Sequence, residues 1–308
     1  MMSPQIALHN PVFRAYCAIV VVGLVCGGIV LAFVQYGFKK ELGSIWATYR
    51  SWIVMALIGL LCVFGGRIAV IVGVGVLSLL AFREFARVSG LAADEALVGT
   101  VYAGIIALAL ASFVRRYDLF AILPLVVIAA ILIVPVLKNR SRGAIQKTAA
   151  AIVGFVYVGW MFGHLGFLAN FSPAYGLICY VIFATELTDI AAFTFGKLFG
   201  RHALRSQISP RKTVEGAIGA LAVAMILPWA LRFSFPSFGA IQLIIIGLIV
   251  GIGGMLGDLS VSMLKRDLDT KDMGSAIPGH GGILDRIDSL IYVAPLFMHM
   301  TKYCQAFR

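Results

Sequence analysis

The chain consists mainly of long apolar runs separated by short polar connections. An α-helix needs about 20 apolar residues to cross a bilayer, because each residue adds only about 1.5 Å. Ten runs reach or approach this length, near residues 15–36, 48–65, 67–86, 97–114, 119–137, 148–169, 174–195, 214–232, 240–264 and 284–301. The pattern predicts an all-α, polytopic integral membrane protein with ten transmembrane helices, or nine if the second and third runs form one broken hairpin.

Composition supports the same class. The 308 residues are 61% hydrophobic and 13% charged, with a mean hydropathy of +0.98. Residues 1–13 lack a cationic segment followed by a small-residue cleavage site, so the first run is predicted to be a retained helix rather than a cleaved signal. The five cysteines lie mostly within or beside apolar runs, without C-x-x-C spacing, which favours packing over metal binding.

The basic residues favour one side of the predicted membrane. In a chain this hydrophobic, a net charge of +11 indicates loops held at the cytoplasmic face and an attraction to anionic lipid, so no nucleic-acid partner is predicted. Alternate connections carry 18 of the 25 Lys and Arg residues on one side, and only the pair Arg115 and Arg116 conflicts locally. This distribution predicts a bacterial-type inner membrane protein whose most charged loops face the cytoplasm.

Polar side chains capable of chemistry begin only after about residue 180. We therefore divide the chain into an N-terminal transmembrane scaffold, residues 1–147, and a C-terminal catalytic region, residues 148–308. The first five spans contain almost no buried charge, which favours a lipid-facing scaffold or a homodimer surface. Glu84, in the segment FREFARV, is interpreted as a helix-end residue at the membrane interface.

Two carboxylates lie near the end of the seventh predicted span. Glu186 and Asp189 are three residues apart and share a helix face. A carboxylate at membrane depth is costly, so it indicates a functional site by default. The alternative is that Asp189 pairs with Lys197 or Arg201 at the interface.

The segment ISPRKTVEG, residues 208–216, is predicted to be a turn leading into the eighth span. Ser209 or Thr213 could cap that helix, with Glu215 in its first turn. A helix N-terminus also presents free amides and a positive dipole end to an anion, and Arg211 and Lys212 lie beside it. Capping and phosphate binding are compatible here.

A strip of polar side chains leaves the ninth span. If the helix continues, Asp258, Ser262 and Arg266 lie at i, i+4 and i+8 on one stripe, with Lys265 beside them. This combination of acid, hydroxyl and base suits a metal ion and a phosphate better than lipid.

Two further carboxylates, Asp285 and Asp288, open the last span and are predicted to face one way. Carboxylates held together repel each other unless a cation lies between them. The oxygen-rich set Asp258, Asp285 and Asp288 suits a magnesium ion (Mg²⁺), which prefers a few carboxylates, waters and substrate phosphates.

The stretch Ser262–Asp288, here called the signature stretch, has the sequence SMLKRDLDTKDMGSAIPGHGGILDRID and holds five acidic residues, four basic residues and four glycines. Its spacing, S-x-x-K-R, four residues, K-D, then P-x-H-G-G-x-x-D-R-x-D, resembles that of the phosphatidate cytidylyltransferases, also called CDP-diacylglycerol synthases. The segment D-x-x-A-F-x-x-G-x-x-x-G from Asp189 and the S-P-R-K-T-V-E-G segment are similar to further motifs of that family. One departure is Val261, where many members carry an acidic residue.

The resemblance implies an enzyme that joins CTP to phosphatidic acid, giving CDP-diacylglycerol and pyrophosphate with Mg²⁺ as cofactor. Its implied catalytic residues are Asp258, Lys265, Arg266, Asp285, Arg286 and Asp288. Implied substrate contacts are Asp189, Ser209, Arg211, Lys212, Ser262, Lys271, His280, Gly281 and Gly282, of which the two glycines allow close backbone approach to a ligand. His280 could equally be a loop residue bonded to backbone.

Two alternatives stay open. One is a CTP-using enzyme with another lipid acceptor, either an isoprenoid-ether lipid cytidylyltransferase or a polyprenol kinase. The other is a secondary transporter whose buried acids carry protons or cations. A transporter predicts acids dispersed along central spans, whereas six of the fourteen acids here lie between residues 258 and 288.

Overall fold

The computed structural model describes residues 2–37, 43–277, 279 and 281–306. Its helices are α1 (Pro4–His9), α2 (Pro11–Gly37), α3 (Gly43–Phe64), α4 (Gly66–Val88), α5 (Glu95–Phe113), α6 (Tyr117–Leu137), α7 (Ala144–Leu168), α8 (Ala174–Phe199), α9 (Val214–Ala230), α10 (Ala240–Asp267) and α11 (Leu284–Ala306). Two strands, β1 (Ala203–Arg205) and β2 (Ser209–Thr213), lie between α8 and α9.

The helices agree with the predicted spans. Each of the ten predicted runs coincides with one of α2 to α11. Eight of these, all except α9 and α11, are long and apolar enough to cross a membrane by length and composition. The chain is therefore an all-α polytopic membrane protein, and the count of ten remains a prediction.

Helices α7 and α10 each contain a π-helical segment, at Phe155–Met161 and Ile249–Gly253. Such segments change which side chains face a neighbouring helix and are frequent near functional sites. In α10 the segment packs closely on α9, because a Cβ added to Gly251 would lie only 2.8 Å from Leu221. The π-helical segment ends at Gly253, five residues before Asp258.

The polar segment between α8 and α9 is a short antiparallel hairpin, with Ala203 opposite Thr213 and Arg205 opposite Ser209. The prediction of a turn at residues 208–216 is therefore wrong, because β2 runs to Thr213 and α9 begins directly at Val214. Thr213 caps α9, since its side chain accepts the Gly216 N–H at 3.1 Å, which confirms one of the two proposed caps.

The core lies between α4, α5, α7, α8 and α11, where aromatic side chains such as Phe82, Phe155, Tyr180 and Phe297 are fully buried. Helix α2 lies at the periphery and exposes most of its apolar residues. That exposure suits contact with lipid.

Contacts join the two proposed regions of the chain. The boundary at residue 147 falls in the first turn of α7. Tyr16 of α2 bonds Ser234 at 2.7 Å, and α4 packs on both α7 and α11. The division into scaffold and catalytic region stays a prediction, and the scaffold helices touch the catalytic ones directly.

Candidate active site

Carboxylates from three helices converge at the end of the helix bundle that holds the signature stretch. Asp288 of α11 lies near Asp258 in α10 and Asp189 in α8. Asp189 Oδ2 accepts a hydrogen bond from Ser289 Oγ at 2.9 Å, which turns that carboxylate towards α11. The helices approach closely here, because a Cβ on Gly257 would lie 2.3 Å from the Asp288 carbonyl oxygen.

Asp258 joins the hairpin to α10. Its Oδ2 forms an ion pair with Lys212 Nζ of β2, and its Oδ1 accepts a hydrogen bond from Ser262 Oγ at 3.2 Å. The second contact confirms that Asp258 and Ser262 share one stripe of a continuing helix. The ion pair shows that Lys212 belongs to the same site, 46 residues before its partner in sequence.

Asp285 binds the loop of the signature stretch. Its Oδ1 accepts from Lys265 Nζ at 2.8 Å, and its Oδ2 accepts the backbone N–H groups of Met273 and Gly282, each at 2.9 Å. The side chains of Asp285 and Lys265 are only 3% and 14% exposed. This pair therefore fixes the loop between α10 and α11 from inside.

Asp285 and Asp288 have different surroundings although they are one helical turn apart. Asp285 contacts the loop, whereas Asp288 Oδ1 accepts the Ser289 N–H at 2.8 Å and faces the Asp258 and Asp189 charges. Within the described residues, no group of three or more His, Cys, Asp or Glu side chains is placed to hold a metal ion. The Mg²⁺ site on Asp258, Asp285 and Asp288 stays a prediction.

Glu84 of α4 reaches the same loop from the N-terminal half of the chain. Its Oε2 accepts the N–H of Leu284, the first residue of α11, at 3.0 Å. Its carboxylate also lies against Gly274 and Gly282, where an added Cβ would come within 2.5 and 2.4 Å of the oxygens. Glu84 therefore lies near the C-terminal end of α4, as predicted, and it also contacts the signature stretch, which was not predicted.

The glycines of the signature stretch fit between two carboxylates. Gly281 has φ +83°, a conformation that favours glycine, and a Cβ there would lie 2.9 Å from Asp285 Oδ2. Gly282 donates its N–H to Asp285 on one side and touches Glu84 on the other. Close packing against Asp285 and Glu84 accounts for both glycines, and the predicted contact with a ligand stays a prediction.

The sequence model of the Cytidylyltransferase family matches residues 46–304, which is most of the chain. The chain belongs to the cytidylyltransferase family. That match begins in α3 and ends in α11, so the family region includes α4 and its Glu84 as well as the signature stretch.

Individual relatives cover the chain less completely. The phosphatidate cytidylyltransferase of Staphylococcus haemolyticus (strain JCSC1435) is 38% identical over 174 residues, and that of Staphylococcus aureus (strain COL) is 40% identical over 160 residues. An Escherichia coli (strain K12) protein, Uncharacterized protein YnbB, is 34% identical over 174 residues. The alignments cover 56%, 51% and 55% of this chain, and 66%, 60% and 58% of the respective relatives.

The remaining cations of this cytidylyltransferase family member surround the carboxylates at different depths. Arg286 contributes positive charge at Asp288, Asp189 and Glu186, and its Nε is buried without a hydrogen-bond partner among the described residues. Arg266 is exposed and its Nε donates to the Ile208 carbonyl at 3.3 Å, which holds α10 against the hairpin. The site thus combines Lys212 and Lys265, each paired with a carboxylate, with the guanidinium of Arg286, whose buried Nε has no hydrogen-bond partner among the described residues.

The outer part of the site is open to solvent. Arg211 on the hairpin and Lys271 in the loop of the signature stretch are exposed, and Ser209 is half-buried. His280 lies outside the described residues. Val261, at the position where many family members are acidic, is fully buried in α10, so it faces away from the exposed cations.

Proposed function

We propose that this protein is a phosphatidate cytidylyltransferase, which transfers the cytidylyl group of CTP to phosphatidic acid. The observation that carries the proposal is the Lys212–Asp258 ion pair, since it joins the S-P-R-K-T hairpin to the helix of the signature stretch in a member of this family. The two Staphylococcus relatives described above carry the name phosphatidate cytidylyltransferase.

The proposed reaction brings two polyanions together. An oxygen of the lipid phosphate attacks the α-phosphorus of CTP, and the bond from that phosphorus to the oxygen bridging the β-phosphate breaks. The products are CDP-diacylglycerol and pyrophosphate, which leaves with the bridging oxygen. Because the attacking phosphate is already an anion near neutral pH, the reaction needs no strong general base, and positioning and charge neutralisation are the main tasks.

Side chains around the site supply that neutralisation. Lys212 and Arg286 lie among the carboxylates, where they would contact the α-phosphate and the lipid phosphate. Exposed Arg211, Arg266 and Lys271 are placed to receive the β- and γ-phosphates from solvent. Lys265 is held by Asp285, so its proposed role is to fix the loop as well as to add positive charge.

Mg²⁺ fits the charge balance of the proposed site. Asp258 and Asp288 bring hard carboxylate oxygen atoms that suit this ion. Asp258 and Asp288 would hold it, with substrate phosphates and water completing the shell, and Asp285 would join only by exchanging one of its present donors. When bound, the ion supplies Lewis acidity at the α-phosphate and charge for the departing pyrophosphate.

The proposed orientation places the signature stretch in the cytoplasm of a bacterial-type inner membrane. It rests on the uneven distribution of Lys and Arg between alternate connections. CTP would then enter from the cytosol, while the lipid reaches the carboxylates from the bilayer.

CTP labelled at the α-phosphate tests the proposal with purified protein, Mg²⁺ and phosphatidic acid. Label passing into the lipid, together with release of pyrophosphate, supports the cytidylyltransferase. Label left in CDP while a polyprenol gains the γ-phosphate would identify a kinase, and no CTP consumption with any lipid would favour the transporter.

A further inference from the structure

Three hydroxyl groups from three different helices meet beside the carboxylates. Ser260 of α10 donates to the Leu256 carbonyl at 2.7 Å, and its Oγ lies 3.3 Å from the Tyr292 hydroxyl of α11. The Tyr292 hydroxyl lies 3.4 Å from that of Tyr157, in the π-helical segment of α7. We call Tyr157, Ser260 and Tyr292 the hydroxyl cluster.

The cluster lies beside the carboxylates on α11. Ser260 is two residues from both Asp258 and Ser262 on α10, so its side chain points away from their stripe and towards Tyr292 of α11. Tyr292 follows Asp288 by four residues, which is about 6 Å along the helix axis at 1.5 Å per residue. Side chains on a helix lean towards its N-terminus, so the Tyr292 hydroxyl extends back towards Asp288.

The cluster also borders the outer apolar surface. All three of its residues are half-buried. Leu256, one turn before Ser260, is 44% exposed, and Leu296, one turn after Tyr292, is 48% exposed. Since exposed apolar side chains of a membrane protein face acyl chains, the hydroxyl cluster lies between the carboxylate site and the lipid-facing surface.

The hydroxyl groups of Tyr157 and Tyr292 make only a long contact with each other. The single hydroxyl proton of Ser260 is used by the Leu256 carbonyl, at a distance usual for O–H···O bonds. The contacts of 3.3 and 3.4 Å are long for such bonds, so both phenol hydroxyls are bonded only weakly. In an apolar environment a donor without a good acceptor is costly, and a ligand oxygen would relieve that cost.

We infer that the hydroxyl cluster binds an acyl-ester carbonyl of the lipid acceptor and so selects ester-linked over ether-linked lipids. The inference rests on the proposed function. In a glycerophospholipid only the glycerol backbone separates the phosphate from the ester groups. A phosphate held at Lys212 and Arg286 therefore leaves an ester carbonyl only a few bonds away, within reach of the Tyr292 hydroxyl that extends back towards Asp288.

The test compares phosphatidic acid with its dialkyl-ether analogue of equal chain length, each in the same detergent micelles with α-labelled CTP. We expect the intact protein to favour the ester lipid in kcat/KM by about fivefold to tenfold, the value of one hydrogen bond between uncharged groups. Tyr292→Phe and Tyr157→Phe keep the ring and remove the hydroxyl. In these variants the ratio of kcat/KM for the ester lipid to kcat/KM for the ether lipid should fall towards one.

Tyr175→Phe is the matched control, because its hydroxyl bonds the Ser3 carbonyl at 2.8 Å, away from the signature end of the bundle. It should keep the ester preference. Because each variant is its own reference for the two lipids, partial unfolding lowers both rates and leaves the ratio readable.

Two results would overturn the inference. One is an intact protein that uses both lipids equally, and the other is a pair of phenylalanine variants that keep the full ester preference while losing activity on both lipids. The second result would assign the hydroxyls to helix packing alone. A failure of the proposed function looks different, because label would then enter neither lipid.

Discussion

The carboxylate of Glu84 in α4 accepts the backbone N–H of Leu284 in α11, across 200 positions of sequence. Leu284 is the first residue of the helix that carries Asp285, Arg286 and Asp288. A negative charge at this point also stabilises the positive end of the α11 dipole. Glu84 is thus a positioning residue for the signature stretch, contributed by the region we predicted to be a scaffold.

Glu84→Ala should lower kcat for cytidylyl transfer by about tenfold to a hundredfold, because small displacements of a catalytic group have effects of this size. The Leu284 N–H would lose its acceptor and the start of α11 would move. Glu84→Gln keeps a carbonyl oxygen for that bond and should recover most of the activity. Steady-state kinetics with CTP as the varied substrate separates the effect on kcat from that on KM.

Glu95→Ala is a suitable comparison, since Glu95 is exposed in the first turn of α5. Unchanged kcat in Glu84→Ala, or equal losses in the Gln and Ala variants, would remove the positioning role.

A double-mutant cycle tests the same contact independently. A Cβ on Gly274 would meet Glu84 atoms at 2.5, 2.7 and 3.1 Å, and those are its three nearest neighbours. Gly274→Ala should therefore impair activity and lower the unfolding temperature in the intact protein. In the Glu84→Ala background it should cost much less, because the clashing atoms are gone, so the two effects should not add.

Gly99→Ala provides the control for the cycle, since an added Cβ there meets nothing within 4 Å. Additive effects of Gly274→Ala and Glu84→Ala would show that the two residues do not contact each other in the working protein.

The helices were predictable from sequence, and the contacts between them were not. Long apolar runs specify spans because lipid requires a closed set of backbone hydrogen bonds. The Asp258–Ser262 bond follows from helical spacing alone. In contrast, the Glu84–Leu284 and Lys212–Asp258 contacts depend on how distant helices pack, about which local periodicity carries no information.

The hairpin and the two last carboxylates show the same limit. The strands β1 and β2 have only three and five residues, which is too short for a clear alternation of apolar and polar side chains to indicate a strand. Spacing placed Asp285 and Asp288 on one helix face, but the loop wraps back so that its N–H groups reach Asp285 only. The path of the loop determines which of the two carboxylates binds the loop backbone.

Cysteine labelling tests the predicted orientation. Ser275 is exposed in the loop of the signature stretch. Ser237 is exposed in the connection between α9 and α10, at the other end of the helix bundle. In a background without the five native cysteines, Ser275→Cys should react with a membrane-impermeant thiol reagent only after the inner face is opened. Ser237→Cys should react in intact cells. The reverse pattern would place the signature stretch outside and exclude cytosolic CTP as its substrate.

Asp285 and Asp288 should respond differently to the same change, because their partners differ. Asp285→Asn removes the charge that holds the largely buried Lys265 side chain, and breaking such a pair costs about 3–5 kcal/mol, so the unfolding temperature should fall along with activity. Asp288 faces the like charges of Asp258 and Asp189. Asp288→Asn removes that repulsion, so it should keep or raise the unfolding temperature while turnover falls about a hundredfold or more.

The measurements are thermal unfolding in detergent and turnover with Mg²⁺ at a limiting concentration. Asp118→Asn, which loses only the exposed pair with Arg116, should leave turnover close to that of the intact protein. Near-normal turnover in Asp288→Asn would mean that this carboxylate does not hold the metal. If Asp285→Asn were stable but inactive, the loop would not depend on the charge of Asp285. That result would instead favour Asp285 as a metal ligand.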